Sequence, residues 1–207
     1  GTKADNYNIT TTEGTLTVTA ITDEVKVVIT ENSGSEKYDG SEKTVTGYTT
    51  AINNSLYTEA DFTFSGDATV KGTDAGSYNM ELKAADFTNI STNFTNVVFT
   101  IEDGTLEITK RTVTLTSADD EKVYDGEALA NDEVTVSGDG WAEGEGAEYD
   151  VTGSQTLVGS SRNAFTYTLN DGTKKDNYTI TTVEGTLTVK DGTDSGDEDV
   201  PDDKVVK

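Results

Sequence analysis

The sequence predicts an all-β protein built from tandem small modules, and three observations carry that reading. A long segment recurs: GTKADNYNITTTEGTLTV at Gly1–Val18 returns as GTKKDNYTITTVEGTLTV at Gly172–Val189, and a more distant copy, NVVFTIEDGTLEI, lies at Asn96–Ile108. Tyr-Asp-Gly occurs twice, at Tyr38–Gly40 and at Tyr124–Gly126. Thr, Val, Tyr and Phe alternate in short runs separated by Gly, Asp, Asn and Ser. Self-similarity over a long period marks an array of like modules, and period-two alternation marks half-buried strands.

Taken in order, residues 1–20 read as the closing hairpin of a preceding repeat, with Tyr7, Ile9, Leu16 and Val18 on an apolar face that needs a partner. Residues 21–110 form one repeat and 111–190 the next. Val25–Ile29, Thr112–Thr116, Phe165–Leu169 and Thr186–Val189 alternate apolar with polar, threonine taking the outer face. Phe62–Leu82 aligns without gaps on Tyr149–Leu169. Glu13-Gly14, Asp103-Gly104 and Glu184-Gly185 are expected as tight hairpin turns, with glycine supplying the positive φ. Helical signal is thin, at most a turn in Leu56–Asp61 and another in Glu127–Asn131. At the junction, Gly104–Lys110 runs into Arg111–Ser117 with no flexible linker, so an elongated, semi-rigid rod is expected. Residues 191–207 carry a run of acids without alternation and read as a disordered linker. The modules fit small immunoglobulin-like β-sandwiches, with a β-grasp-like module as the alternative.

Composition narrows the function. The chain has 207 residues, 39 acids against 15 bases and a net charge of -24. Such a charge repels nucleic acid and anionic membrane surfaces and suits cations. There is no Cys and no His, which removes disulfides, the commonest general base and the commonest metal ligand. Neither a nucleophile–histidine arrangement nor a phosphate loop is present. Carboxylate pairs are unavoidable among 39 acids and point to no glycosidase without geometry. A non-enzymatic chain is expected.

The order of motifs resembles a known family. A Lys-Tyr-Asp-Gly opening (Lys37–Gly40, and Lys122–Gly126 with one residue inserted), a central glycine-to-leucine stretch, an Asn-Tyr-x-Ile segment and a closing Gly-Thr-Leu-Thr-Val strand are similar to the YDG/MBG-type tandem repeats of bacterial surface proteins. The likeness covers nearly all of residues 1–190. Residues 21–110 depart from it, with Val97 in place of the Asn-Tyr tyrosine and extra residues ahead of Tyr38. The resemblance implies a tandem, secreted or wall-attached, adhesin-like protein. It brings no catalytic or ligand residue with it.

Candidate sites follow from residue type. Tyr38-Asp39-Gly40 and Tyr124-Asp125-Gly126 read as structural turns in which Tyr packs, Asp caps and Gly takes the left-handed conformation. Trp141 stands in a glycine-rich loop, where an aromatic ring serves as a binding platform. Asp119 and Asp120, with Asp74 near a module end, are the candidate ligands for calcium. No other cofactor is expected. Asp191, Thr193, Ser195, Gly196 and Asp202 loosely match an EF-hand calcium loop, and Glu143–Glu148 reads as solvated acid. The chain is expected to be a stalk or spacer at a bacterial cell surface. The alternative is that the repeats themselves bind host glycoprotein, polysaccharide or a neighbouring cell, weakly and multivalently. A monomer is expected, open to strand exchange through residues 1–20, with no nucleic-acid partner and no membrane insertion.

Overall fold

The computed structural model describes residues 1–192, so the acidic tail, apart from Asp191 and Gly192, lies outside the described residues. In chain order the first repeat contributes β1 (Val25–Glu31), β2 (Gly34–Lys37), β3 (Lys43–Thr46), β4 (Tyr48–Ile52), β5 (Phe62–Phe64), β6 (Thr69–Gly72), β7 (Gly76–Asn79), β8 (Phe87–Asn89), β9 (Val97–Glu102) and β10 (Thr105–Thr109). The second contributes β11 (Arg111–Ser117), β12 (Asp120–Val123), β13 (Val134–Gly138), β14 (Ala147–Val151), β15 (Gly159–Asn163), β16 (Phe165–Leu169), β17 (Tyr178–Val183) and β18 (Gly185–Lys190). The protein is all-β, and the described residues form small sheets of two or three strands with no barrel among them. Four single 3-10 turns are the helical pieces among the described residues. One, Glu59–Asp61, falls inside the expected Leu56–Asp61 turn. Glu127–Asn131 is not helical; Leu129 instead bridges to Gln155.

The described residues divide into two compact units. The first holds Gly1–Asn32, Thr46–Ala68 and Met80–Gly104; the second holds Ser33–Val45, Thr69–Asn79 and the chain from Thr105 onward. In the first unit β1 is the centre of a sheet, antiparallel to β4 and parallel to β9. Its alternation puts Val25, Val27 and Ile29 fully inside. Over them lies an aromatic cluster in which Tyr48 stands edge-on to Phe64 and Phe87 at 5.2 Å, and Tyr57 stands edge-on to Phe94 at 5.3 Å. Glu31 is buried at the end of β1. Its carboxylate accepts the Leu82 N–H at 2.6 Å and the Gly104 N–H at 2.8 Å, which satisfies the buried charge.

In the second unit the same plan recurs. β11 is antiparallel to β13 and parallel to β17; β18 is parallel to β12 and antiparallel to β15; β14 pairs with β16. The first repeat's β10 likewise stands between β2, parallel, and β7, antiparallel. Val113, Leu115, Leu187 and Val189 form the second repeat's core. Ser117 takes the place Glu31 has in the first repeat. Its hydroxyl accepts the Gly185 N–H at 2.9 Å and donates to the Asn163 carbonyl at 2.6 Å.

These pairings correct the expected closing hairpin. β9 and β10 do not pair with each other: β9 runs parallel to β1, and β10 enters a different sheet beside β2. β17 and β18 do the same. Gly104 and Gly185 therefore are not hairpin glycines, and neither has a positive φ. They are required because a Cβ at Gly104 would lie 2.4 Å from the Asn32 carbonyl oxygen, and one at Gly185 would lie 2.3 Å from that of Ala118. Residues 1–20 form no hairpin either. They carry one 3-10 turn, Ala4–Asn6, and leave Leu16 and Val18 exposed. In both repeats the equivalent strands are held by an opening strand, and residues 1–20 pair with none among the described residues. The gap-free alignment of the central stretch holds for β5 on β14 and then slips. The pairings with the closing strand set Gly76 opposite Ile108 and Gly159 opposite Val189, so Gly76 corresponds to Gly159. The 3-10 turn Ala84–Asp86 between β7 and β8 has no counterpart between β15 and β16.

Gly104→Ala and Gly185→Ala should each destabilise the protein by about 1–3 kcal/mol, because backbone must move to admit the methyl. Gly14 occupies the same motif and has nothing within 4 Å, so Gly14→Ala should leave the urea midpoint unchanged. Equal effects at all three positions would refute the close-approach explanation.

Candidate functional site

A convergence of aromatic and charged side chains in the second unit joins the YDG turn of the first repeat to the second repeat. Tyr38 directly follows β2, and its N–H donates to the Thr109 carbonyl at 2.9 Å. Asp39 then accepts the Ser41 N–H at 2.9 Å and the Ser41 hydroxyl at 2.6 Å, and binds Lys43. Gly40 has φ +84, a conformation that favours glycine. The ammonium of Lys43 foremost, with the Ser41 donors, holds the Asp39 carboxyl well below the usual carboxylate range. The turn is thus locked from within, and its tyrosine faces the next repeat.

Tyr38 is only 3% exposed. Its ring meets the Tyr178 ring edge-on, with centroids 5.7 Å apart. Both hydroxyls donate to one carboxylate: Tyr38 to Glu145 Oε1, and Tyr178 to Glu145 Oε2 at 2.8 Å. The Ala142 N–H donates to the Tyr178 hydroxyl at 3.0 Å. Trp141 completes the cluster, edge-on to Tyr178 at 4.9 Å, with its indole N–H donating to the Tyr149 hydroxyl at 3.2 Å. Burial first, and then the Glu145 carboxylate, pushes Tyr38 up to about 12. Burial likewise pushes Tyr178 up to about 12, against the pull of the Ala142 N–H.

Charged groups frame the aromatic centre. Arg111, the first residue of β11, donates through Nε to the Gly140 carbonyl at 2.9 Å and through one terminal nitrogen to the Tyr38 carbonyl at 3.3 Å, while the other binds the Asp139 carbonyl. One guanidinium therefore ties the YDG backbone to the glycine-rich loop that carries Trp141 and Glu145. Asp139 accepts the Thr112 N–H at 2.8 Å and pairs with Lys37. Lys37 foremost, with the Thr112 donors, lowers its carboxyl. On the other flank, Asp74 binds Lys174 at 2.7 Å and the Asn177 amide at 3.0 Å, and Asn177 in turn accepts the Ala75 N–H at 2.7 Å. Lys174 and then Asn177 lower the Asp74 carboxyl. The two ion pairs are half-exposed and worth about 0–1 kcal/mol each; the buried rings and the shared carboxylate outweigh them.

The sequence-derived candidates are distributed as follows. Tyr38, Gly40 and Trp141 lie in this joint, and Gly40 comes within 4 Å of Glu145 and Ala142 if given a Cβ. Tyr124-Asp125-Gly126 repeats the turn: the Tyr124 N–H donates to the Lys190 carbonyl at 2.9 Å, Asp125 accepts the Glu127 N–H and binds Lys122, and Gly126 has φ +89. Tyr124 itself is 48% exposed. Asp119 accepts the Thr186 N–H at 2.7 Å, and Asp120 accepts the Asn131 amide at 3.0 Å. No group of three or more potential metal-ligating residues converges among the described residues. Glu145, Arg111, Asp139 and Tyr178 were not singled out as site residues. Tyr178 had a legible signal in the repeated Asp-Asn-Tyr. Glu145 sat unmarked among the neighbouring acids.

Residues 25–110 match the model of the MBG domain. The match spans β1 to β10 and ends one residue before Arg111. No curated protein and no solved structure matches the chain.

Two outcomes test the joint. Tyr178→Ala should cost about 3–5 kcal/mol as a buried aromatic truncation. Tyr178→Phe should cost about 1–3 kcal/mol, since Glu145 and the Ala142 N–H each lose a partner. Denaturant melts followed by the single Trp141 report both. The pH profile follows from the tyrosines. An unfolded tyrosine titrates near 10, and these two near 12. Their contribution is full below about pH 10 and is lost as pH rises toward 12. Stability flat across that window would refute the buried-hydroxyl geometry.

Proposed function

We propose that this chain is a non-enzymatic repeat segment of a bacterial extracellular surface protein, serving as a stalk or spacer in adhesion. The observation that carries the reading is the joint at Tyr38 and Tyr178. One residue, Lys110, separates β10 from β11. Beyond it, Glu145 and Arg111 bind the YDG turn to the second repeat from two sides. A connection of this kind resists bending in a way a flexible linker does not. Of the candidate side chains, Tyr38 packs across the junction on Tyr178, and Trp141 packs on the other side of Tyr178. The MBG match and the order of motifs support a surface location.

The alternative, repeats that bind host glycoprotein or polysaccharide, draws on Trp141. That ring is engaged with Tyr178 and Tyr149, which favours the spacer. Small-angle X-ray scattering of the dilute chain should give an extended profile, unchanged by calcium chelation, that Tyr178→Ala broadens. A profile that Tyr178→Ala does not alter would sink the stiff-joint reading. A profile that extends only with calcium would transfer the role to a metal.

A further inference from the structure

The joint sets two tyrosines against each other with one proton acceptor serving both. The Tyr38 and Tyr178 rings stand at 83°, with centroids 5.7 Å apart, and both hydroxyls donate to the Glu145 carboxylate. The ring edges that carry the hydroxyls, and hence the carbons ortho to them, are drawn toward the same point. Two phenols joined through those carbons also hold their rings steeply inclined, because the paired hydroxyls crowd a flat arrangement. By contrast, the ring contacts of Tyr48 and Tyr57 in the first unit are with phenylalanines, which carry no phenol to couple.

A line of oxidisable rings leads to this pair from the surface. Tyr167 lies directly across from Tyr149 in the β14–β16 register. The Tyr149 hydroxyl accepts the Trp141 indole N–H at 3.2 Å, and the Trp141 ring meets Tyr178 edge-on at 4.9 Å. Tyr167, Tyr149 and Trp141 are partly exposed, whereas Tyr178 and Tyr38 are buried. An electron taken at the surface is thus replaced from within, ring by ring. Both inner tyrosines are pushed up to about 12, so at neutral pH each is oxidised as a neutral phenol and its proton must leave with the electron. Glu145 already accepts both hydroxyls and is itself partly exposed, so it can take the proton and pass it to water.

We propose that Tyr38 and Tyr178 form a site of oxidative cross-linking, at which an outer-sphere one-electron oxidant acting on Trp141 joins the two rings into a dityrosine. Each phenol loses one electron and one proton. The two radicals then form a carbon–carbon bond between ortho positions, and the hydrogens on those carbons return to the oxygens as the rings regain aromaticity. Two electrons go to the oxidant and two protons go through Glu145 to solvent, so the product lacks two hydrogen atoms. The ring centroids approach by about one bond length. The new bond makes the contact between the repeats covalent and closes most of the chain into a loop, which costs the unfolded state entropy. The site follows from the joint's geometry and does not rest on the stalk reading.

Illumination of the dilute full chain with tris(bipyridyl)ruthenium and a chloropentaamminecobalt(III) acceptor tests this. The photogenerated ruthenium(III) is the oxidant, and two cobalt(III) ions become cobalt(II) for each cross-link. A denaturing gel separates the monomer from linked dimers, and peptide mapping of the monomer band locates the bond. The monomer should lose the mass of two hydrogen atoms, gain the blue fluorescence of a biphenol and yield one linked pair of peptides holding Tyr38 and Tyr178, at a rate independent of protein concentration. Tyr38→Phe and Tyr178→Phe keep the rings and should each abolish that pair. Trp141→Phe should slow its formation several-fold. Glu145→Gln should slow it as well and redirect oxidation onto Trp141, because a hole stays on the indole when the phenol proton has no acceptor.

Tyr7 and Tyr124 are 62% and 48% exposed and supply the internal comparison. A monomer map in which only these two carry oxidation overturns the proposal. So does one in which Trp141 is consumed while Tyr38 and Tyr178 stay intact. A Tyr38–Tyr178 bond whose rate is indifferent to Trp141→Phe overturns the route through the indole. The map of the unsubstituted chain decides the site even where a variant fails to fold. Scattering of the unoxidised chain is untouched by any of these results, so the stalk reading stands or falls separately.

Discussion

The parallel pairing of each repeat's opening and closing strands is the constraint on which the rest depends. β11 lies parallel to β17, and β12 parallel to β18. The closing strand must therefore start where the repeat starts and leave where the YDG turn stands. That places Tyr178 beside Arg111 at the beginning of the second repeat and Tyr124 beside Lys190 at its end. The second repeat thus carries an Asn-Tyr element at one end and a Tyr-Asp-Gly turn at the other. The two motifs meet when repeats follow each other, as Tyr38 and Tyr178 do.

The crossing between sheets sets a second demand. Where β9 gives way to β10, and β17 to β18, the chain passes against the backbone that follows the opening strand. Only glycine leaves room, and a buried acceptor must meet its N–H. The two repeats meet that demand with different chemistry, a carboxylate in one and a hydroxyl in the other. A buried charge is tolerated at Glu31 because two backbone N–H groups address it. Ser117 avoids the charge altogether. The position is conserved in geometry between the repeats and free in residue type.

At the joint, magnitudes order the contributions. Two tyrosines and a tryptophan supply apolar contact and edge-on ring geometry. Glu145 accepts from both buried tyrosine hydroxyls, so the rings cannot slide without breaking a hydrogen bond. Arg111 adds direction through its planar fork, which a lysine could not reproduce. The half-exposed pairs Lys37–Asp139 and Lys174–Asp74 contribute register more than energy.

Much of this was legible in the chain alone. Alternation marked Val25–Ile29, Thr112–Thr116 and Thr186–Val189 as strands, because a pleated ribbon turns successive side chains to opposite faces whatever its partner. The YDG turns were legible because aspartate and glycine act on their own local backbone. The recurrence of Gly-Thr-Leu-Thr-Val identified a closing segment. It did not reveal that its two strands part into different sheets, since alternation is the same for a hairpin and a crossover. Nor could it separate Glu145 from neighbouring acids, or distinguish the buried Tyr178 from the exposed Tyr7, which share one local sequence. Local sequence determined which residues are strand, turn and apolar face. Only tertiary structure decided which strands are neighbours and which tyrosine is covered, because those depend on what the rest of the chain brings alongside.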